Sequence, residues 1–96
     1  MTIMVKVEAV AQPEKTTELV RMLQRGFPHT RAAPGCHDLT AYLNEDGVSL
    51  VVIEHWESKA HYQSYLDWRT ETGAIDALGA LLQGPLEIRF FEKVGA

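Results

Sequence analysis

The stretch VSLVVIEHWESKAHYQSYL, running from Val48 to Leu66, decides the reading of this chain. Its two halves have different periods. From Val48 to Glu57, β-branched and apolar residues are dense and neither Gly nor Pro intervenes, which suits a largely buried strand. Ser58 is an N-cap type whose side-chain oxygen can accept from an orphan amide of a first helical turn. Beyond it, Ala60, Tyr62, Tyr65 and Leu66 recur at helical spacing. The stretch is therefore a strand, a tight junction and a helix. Glu54, His55 and Trp56 stand at the strand end, and His61 and Tyr62 at the helix start. Polar and aromatic side chains converge on this corner, and the functional site is expected there. Strand alternation puts Val52, Glu54 and Trp56 on one face and Ile53, His55 and Glu57 on the other.

Toward the N-terminus, Ile3 to Ala11 reads as a strand, with Ile3, Val5, Val7 and Ala9 on a uniformly apolar face and Met4, Lys6, Glu8 and Val10 on a mixed one. Gln12-Pro13 ends it. Glu14 to about Arg25 reads as an amphipathic helix, with Leu19, Val20, Met22, Leu23 and Phe27 on one stripe. Pro28 is expected to kink or stop it, with room for another turn over Thr30 to Ala33. Pro34-Gly35 is a turn, and Cys36 to Asn44 a second strand in which Leu39, Ala41 and Leu43 alternate with Asp38, Thr40 and Tyr42. Asn44-Glu45-Asp46-Gly47 is a hairpin loop. Helix two runs from Ser58 to about Thr72, Gly73 is a plausible C′ residue, and Ala74 to Gln83 reads as a short extra helix. After the turn at Gly84-Pro85, Leu86 to Val94 is the last strand. The order β-α-β-β-α-β is the α+β, ferredoxin-like plan, an antiparallel sheet with its helices on one face. The other face needs a cover that 96 residues cannot supply, so a homodimer stacked sheet on sheet is expected.

Composition narrows the possible functions. The length is that of one domain over residues 1–96, and a chain this short buries only roughly 60–65% of its extended surface. The net charge is −4 and the nine Lys and Arg are scattered, which argues against a nucleic-acid partner. The single cysteine, Cys36, excludes an internal disulfide and suits a reducing compartment. No signal-peptide pattern opens the chain, and no apolar run approaches the ~18 residues of a spanning helix, so a soluble cytoplasmic protein without membrane contact is expected.

Four segments carry a family resemblance: MVKVEAVAQPEK in the first strand, PGCHDL at Pro34–Leu39, VIEHWESKAHY at Val52–Tyr62 and the closing GPLEIRFFEKV. In this order they resemble the antibiotic biosynthesis monooxygenase (ABM) domain family, the dimeric α+β barrels. The IExWES corner is the most specific of them. The resemblance implies the fold and the dimer. It is compatible with several activities: cofactor-independent oxidation of quinols or aromatic polyketides, haem degradation, and isomerisation of aldehyde phosphates. Trp56 and Tyr62 fall where polyketide-oxidising members carry a pocket Trp and Tyr. Val52 stands where those members have Asn, Asp76 near their Arg, and Tyr65 where many quinol-oxidising members have His. Haem-degrading members need an Asn on strand one, and Met4 to Val10 contains none.

A cofactor-free oxygenase must deprotonate a phenol or quinol so that the anion can give an electron to O₂. It needs a base, an apolar ring pocket and groups that stabilise the oxyanion. His61 or His37 is the expected proton acceptor, and Glu54 and His55 are further candidates. Trp56, Tyr62, Tyr65, Tyr42, Trp68 and Phe27 are the expected lining, binding a small aromatic or hydrophobic molecule. The family's Trp lines the space between sheet and helices, so Glu54 is expected to lean the same way, with His55 toward the partner sheet. The bland assignments are specific too. Trp56 suits a core anchor, Glu54 a structural ion pair, His61 a cap and His29 a loop surface. Asp67, Arg69, Glu71 and Asp76 read as a solvated helix face. No metal is expected, because the spacing of His55 and His61 across the corner matches no ligand pattern, and no cofactor is called for. Two other functions fit the fold: a non-catalytic ligand-binding or accessory dimer, and an isomerase or cyclase using Glu54 and a His on a small carbonyl compound.

Overall fold

The computed structural model describes residues 2–95 and orders them as β1 (Ile3–Val10), a 3-10 turn (Pro13–Lys15), α1 (Thr16–Ala32), β2 (Cys36–Leu43), β3 (Ser49–Trp56), α2 (Lys59–Glu71), α3 (Ala74–Gly79) and β4 (Glu87–Glu92). The strands form one antiparallel sheet in the order β2-β3-β1-β4, the ferredoxin-like α+β arrangement. Alternation sets the two faces. Ile3, Val5 and Ala9 of β1 lie opposite Trp56, Glu54 and Leu50 of β3, and all six are buried under the helices. Met4, Lys6 and Glu8 pair with His55, Ile53 and Val51 on the outer face, where each is half-buried. Glu54 alone breaks the apolar pattern of the inner face of the two central strands.

The core has two parts. One gathers Ala9, Ala11, Leu19, Leu50, Leu81 and Leu82 at one end of the sheet. The other gathers Ile3, Val5, Trp56 and Tyr62 at the opposite end. Between them the helices α1 and α2 cover the sheet incompletely, which is where the cavity described below lies.

Three expectations about element ends are corrected. Pro28 does not stop the first helix, which runs on to Ala32 and includes the further turn expected after Thr30. The stripe explains why: Leu19, Met22, Leu23, Gly26, Phe27 and Thr30 keep helical spacing across the proline, so the far turn is held by packing. Pro28 itself is exposed, and the Gln24 carbonyl it leaves without an amide lies on the solvent side. The third helix is shorter than expected, ending at Gly79. Leu81 and Leu82 leave it because the backbone is taken by the end of β1: Gln12 N–H donates to Leu81 O at 2.9 Å, Gln83 N–H donates to Val10 O at 2.8 Å, and Ala11 bridges Leu82. The last strand is likewise trimmed to Glu87–Glu92.

The strand-to-helix corner is locked from two sides. Ser58 Oγ accepts the His61 amide at 3.2 Å, the N-cap expected from its residue type. Gly35 O accepts the Glu57 amide at 2.7 Å, tying the start of β2 to the same corner. Gly35 has a φ of +88°, and a Cβ on it would stand 2.6 Å from the His61 ring. Both facts demand glycine. Gly35→Ala is therefore expected to lower stability by about 2 kcal/mol in urea denaturation, against about 1 kcal/mol for Ser58→Ala, which loses only the cap.

Candidate active site

A partly open cavity of about 210 Å³ lies between the inner face of the sheet and the helices. β1 and β3 floor it with Val7, Ala9, Leu50 and Val52, and the helices wall it with Leu23, Phe27, Leu66 and Leu78. Its polar groups are few: Glu54 from β3, Thr30 from α1, and Tyr62, Tyr65 and Arg69 from α2. An apolar chamber with a small number of convergent polar groups is the form ligand sites take.

Glu54 is 5% exposed. Its Oε1 accepts from Trp56 Nε1 at 2.8 Å. Its Oε2 has no protein partner among the described residues and is left to the cavity. Burial raises the carboxyl from 4.5 to about 7, against the opposing pull of the Trp56 bond. The group thus sits near half-protonation at neutral pH, where a general acid or base is most effective. Tyr62 is 3% exposed and makes edge-on contact with Trp56 at 5.4 Å between ring centres. Burial first, and then the charges of Glu54 and Tyr65, push its hydroxyl upward, so it remains a neutral donor. Tyr65 bonds through its hydroxyl to Thr30 Oγ1, which also donates to Gly26 O at 3.3 Å. This chain of bonds ties α2 to the last turn of α1 at the cavity wall.

The structure distributes the expected site residues unevenly. Glu54, Tyr62, Tyr65 and Phe27 share the cavity. Trp56 does not line it. It is fully buried behind the wall, its ring tilted against Tyr65 with centres 5.2 Å apart, and it reaches the cavity through its bond to Glu54. Tyr42 is corrected to the outer face, opposite Val51 and 59% exposed, because β2 alternates in register with β3. Trp68 belongs instead to a second, more open groove of about 590 Å³ that also takes in His29, His61 and Tyr65.

The two histidines expected as base are likewise placed elsewhere. His61 turns back along its own helix, its Nδ1 2.7 Å from Ser58 Oγ and its ring against Gly35. His37 is the extra residue where the register shifts between Cys36 and Asp38, and its Nε2 lies 3.0 Å from Glu57 Oε2 in solvent. His55 is on the outer face as expected, bonded to Asp38 Oδ1 at 2.7 Å. Cys36 is half-buried, and its thiol is raised mainly by that burial, which disfavours the nucleophilic thiolate. Among the described residues no three His, Cys, Asp or Glu gather as metal ligands.

Arg69 and Thr30 enter the cavity although the sequence reading did not select them. Their signal was spacing. Tyr62, Tyr65, Leu66 and Arg69 stand at i, i+3, i+4 and i+7, so Arg69 closes the buried stripe of α2 and does not belong to its solvated face.

The comparisons bear on this geometry. The sequence model of the family described as "Antibiotic biosynthesis monooxygenase" matches residues 2–77. The chain belongs to the ABM family. Solved structures agree in fold. Rv0793 from Mycobacterium tuberculosis superposes with a TM-score of 0.88 at 21% identity, covering 100% of this chain and 98% of its own. A conserved protein from Methanosarcina mazei Go1 gives 0.87 at 20% identity, covering 97% and 93%. A variant of SnoaB, a cofactor-independent oxygenase from Streptomyces nogalater, gives 0.84 at 18% identity, covering 99% and 95%. No curated protein matches the chain in sequence. The ABM fold extends past the matched residues, since the superpositions include β4 and so the whole sheet that floors the cavity. No helix among the described residues is long and apolar enough to cross a membrane.

The Glu54 carboxyl makes stability depend on pH. A carboxyl that is neutral longer in the fold than in the unfolded chain stabilises the fold at low pH, and that contribution is lost as pH rises from 4.5 toward 7. At ~1.4 kcal/mol for each tenfold change, the loss is on the order of 3 kcal/mol. Urea denaturation at pH 5 and pH 8 is expected to show it, and Glu54→Gln is expected to reduce the difference between the two.

Proposed function

We propose that this ABM protein is a cofactor-independent monooxygenase of small electron-rich phenols or quinols, with Glu54 as the base. One observation carries the reading: a carboxyl poised near pH 7 opens into an apolar chamber of ring size. Glu54 Oε2 takes the proton of the substrate hydroxyl. The neutral Tyr62 hydroxyl donates to the oxyanion that results. That anion gives one electron to O₂, the radical pair joins in a C–O bond as a hydroperoxide, and loss of water leaves a quinone. One oxygen atom enters the product and the other leaves in water. Trp56 holds the carboxylate's orientation through its indole N–H, and Phe27, Leu23 and Leu66 keep water from the anion.

Size narrows the substrate. A cavity of ~150 Å³ holds benzene. At about 210 Å³ this chamber suits one or two fused rings. A polycyclic polyketide is too large for a chamber of this volume.

The protein acts as a homodimer in this reading. Met4, Val51, Ile53, Tyr42 and Phe91 lie on the outer face of the sheet, half-buried or exposed, and a second copy stacked sheet on sheet covers them. Ile53→Lys is expected to shift the molecule toward monomer in analytical ultracentrifugation, and an unchanged mass would contradict the stacking.

A second reading rests on the same carboxyl. A group near half-protonation can both take and return a proton, so Glu54 paired with Tyr62 suits an isomerase of a small carbonyl compound. Oxygen separates the two. Metal- and flavin-free enzyme is expected to consume O₂ with naphthohydroquinones, at a rate that rises with pH and is half-maximal near 7. Glu54→Gln is expected to lower that rate by about 100-fold or more, while His61→Ala and His37→Ala retain most of it. Turnover under strict anaerobiosis would favour the isomerase.

A further inference from the structure

Arg69 is the only cation lining the cavity among the described residues. It is half-buried on α2 and has no carboxylate within ion-pair distance there. Its guanidinium carbon lies 5.7 Å from the Trp68 ring centre. Its Nη2 occupies the space a side chain on Gly26 would take, 2.9 Å from where that Cβ would stand. The glycine in the middle of α1 therefore has a use: it lets the guanidinium of the facing helix seat itself over the cavity.

A guanidinium presents five N–H donors in a planar fork. Partly withdrawn from water and without an acid beside it, it favours an anion that reaches it from the cavity. Burial raises the Tyr65 hydroxyl; its bond to Thr30 and then the charge of Arg69 oppose that rise, and the charge of Glu54 adds to it. The chamber thus carries one acid, Glu54, and one cation, Arg69, which do not pair with each other.

We infer that the substrate is an aromatic hydroxy acid, its carboxylate held by Arg69 while its hydroxyl meets Glu54 in the same cavity. This rests on the cavity being the phenol site, and it adds the acidic group as the feature that selects the substrate. Arg69 is then a specificity residue, and Gly26 positions it.

Calorimetric binding of two probes, 2-naphthol and 6-hydroxy-2-naphthoate, to wild type, Arg69→Gln and Gly26→Ala tests this. The wild type is expected to bind the acid about tenfold or more tightly than the naphthol. Arg69→Gln is expected to erase that preference. Gly26→Ala, which displaces only the flexible end of Arg69 and strengthens the helix, is expected to reduce it several-fold without lowering the melting temperature. The readout is the ratio of the two affinities, so a change common to both probes does not enter it. Naphthol binding with no preference for the acid, or a preference unchanged in both variants, would overturn the inference alone. Binding of neither probe would overturn it together with the cavity reading.

Discussion

The bond between the Trp56 indole and the Glu54 carboxyl is the constraint on which the rest of the site depends. An ionisable group on the inner face of a small sheet is costly unless it is neutral or hydrogen-bonded. Here it is bonded on one oxygen only. The indole fixes the carboxyl's orientation and occupies Oε1, and Oε2 faces the chamber. Burial supplies the rest, holding the group near the midpoint of its titration at neutral pH. A second donor would return it to the ordinary carboxylate range, and a fully apolar setting would keep it permanently protonated.

The fold provides the chamber by not filling it. The two core clusters pack the ends of the sheet, and the space between them is bridged by one polar chain from Gly26 O through Thr30 to Tyr65. The same turn of α1 supplies the glycine against which Arg69 rests. The late part of α1, beyond the residue that local sequence rules take as its end, is therefore what closes the site.

Much of this was legible in the residues. Alternation along Ile3–Val10 and Ser49–Trp56 gave the sheet, its faces and the inward lean of Glu54, and Ser58 marked the start of α2. The errors have physical causes. Pro28 breaks a helix only where packing does not hold the next turn, and Thr30 on the buried stripe holds it. His61 adjoins Tyr62 in sequence, but a helix turns successive residues by about 100°, which carries its ring onto Ser58 and Gly35 and away from the chamber. Arg69 looked solvated because its charge outweighed its place on the stripe. The raised titration of Glu54 is a property of burial from three elements at once, and no local pattern carries it.

The ABM relatives share the fold at 15–21% identity, too distant to lend their chemistry to individual residues. Val52 and Tyr65 stand where the resemblance implies other polar residues, and in the proposed reading the carboxyl of Glu54 takes the proton-accepting part. The most direct test is NMR titration of the Glu54 side-chain carboxyl carbon in selectively ¹³C-labelled protein. The account predicts a midpoint near pH 7. A midpoint in the ordinary range near 4.5 would mean that the carboxyl is solvated, and the account would fail.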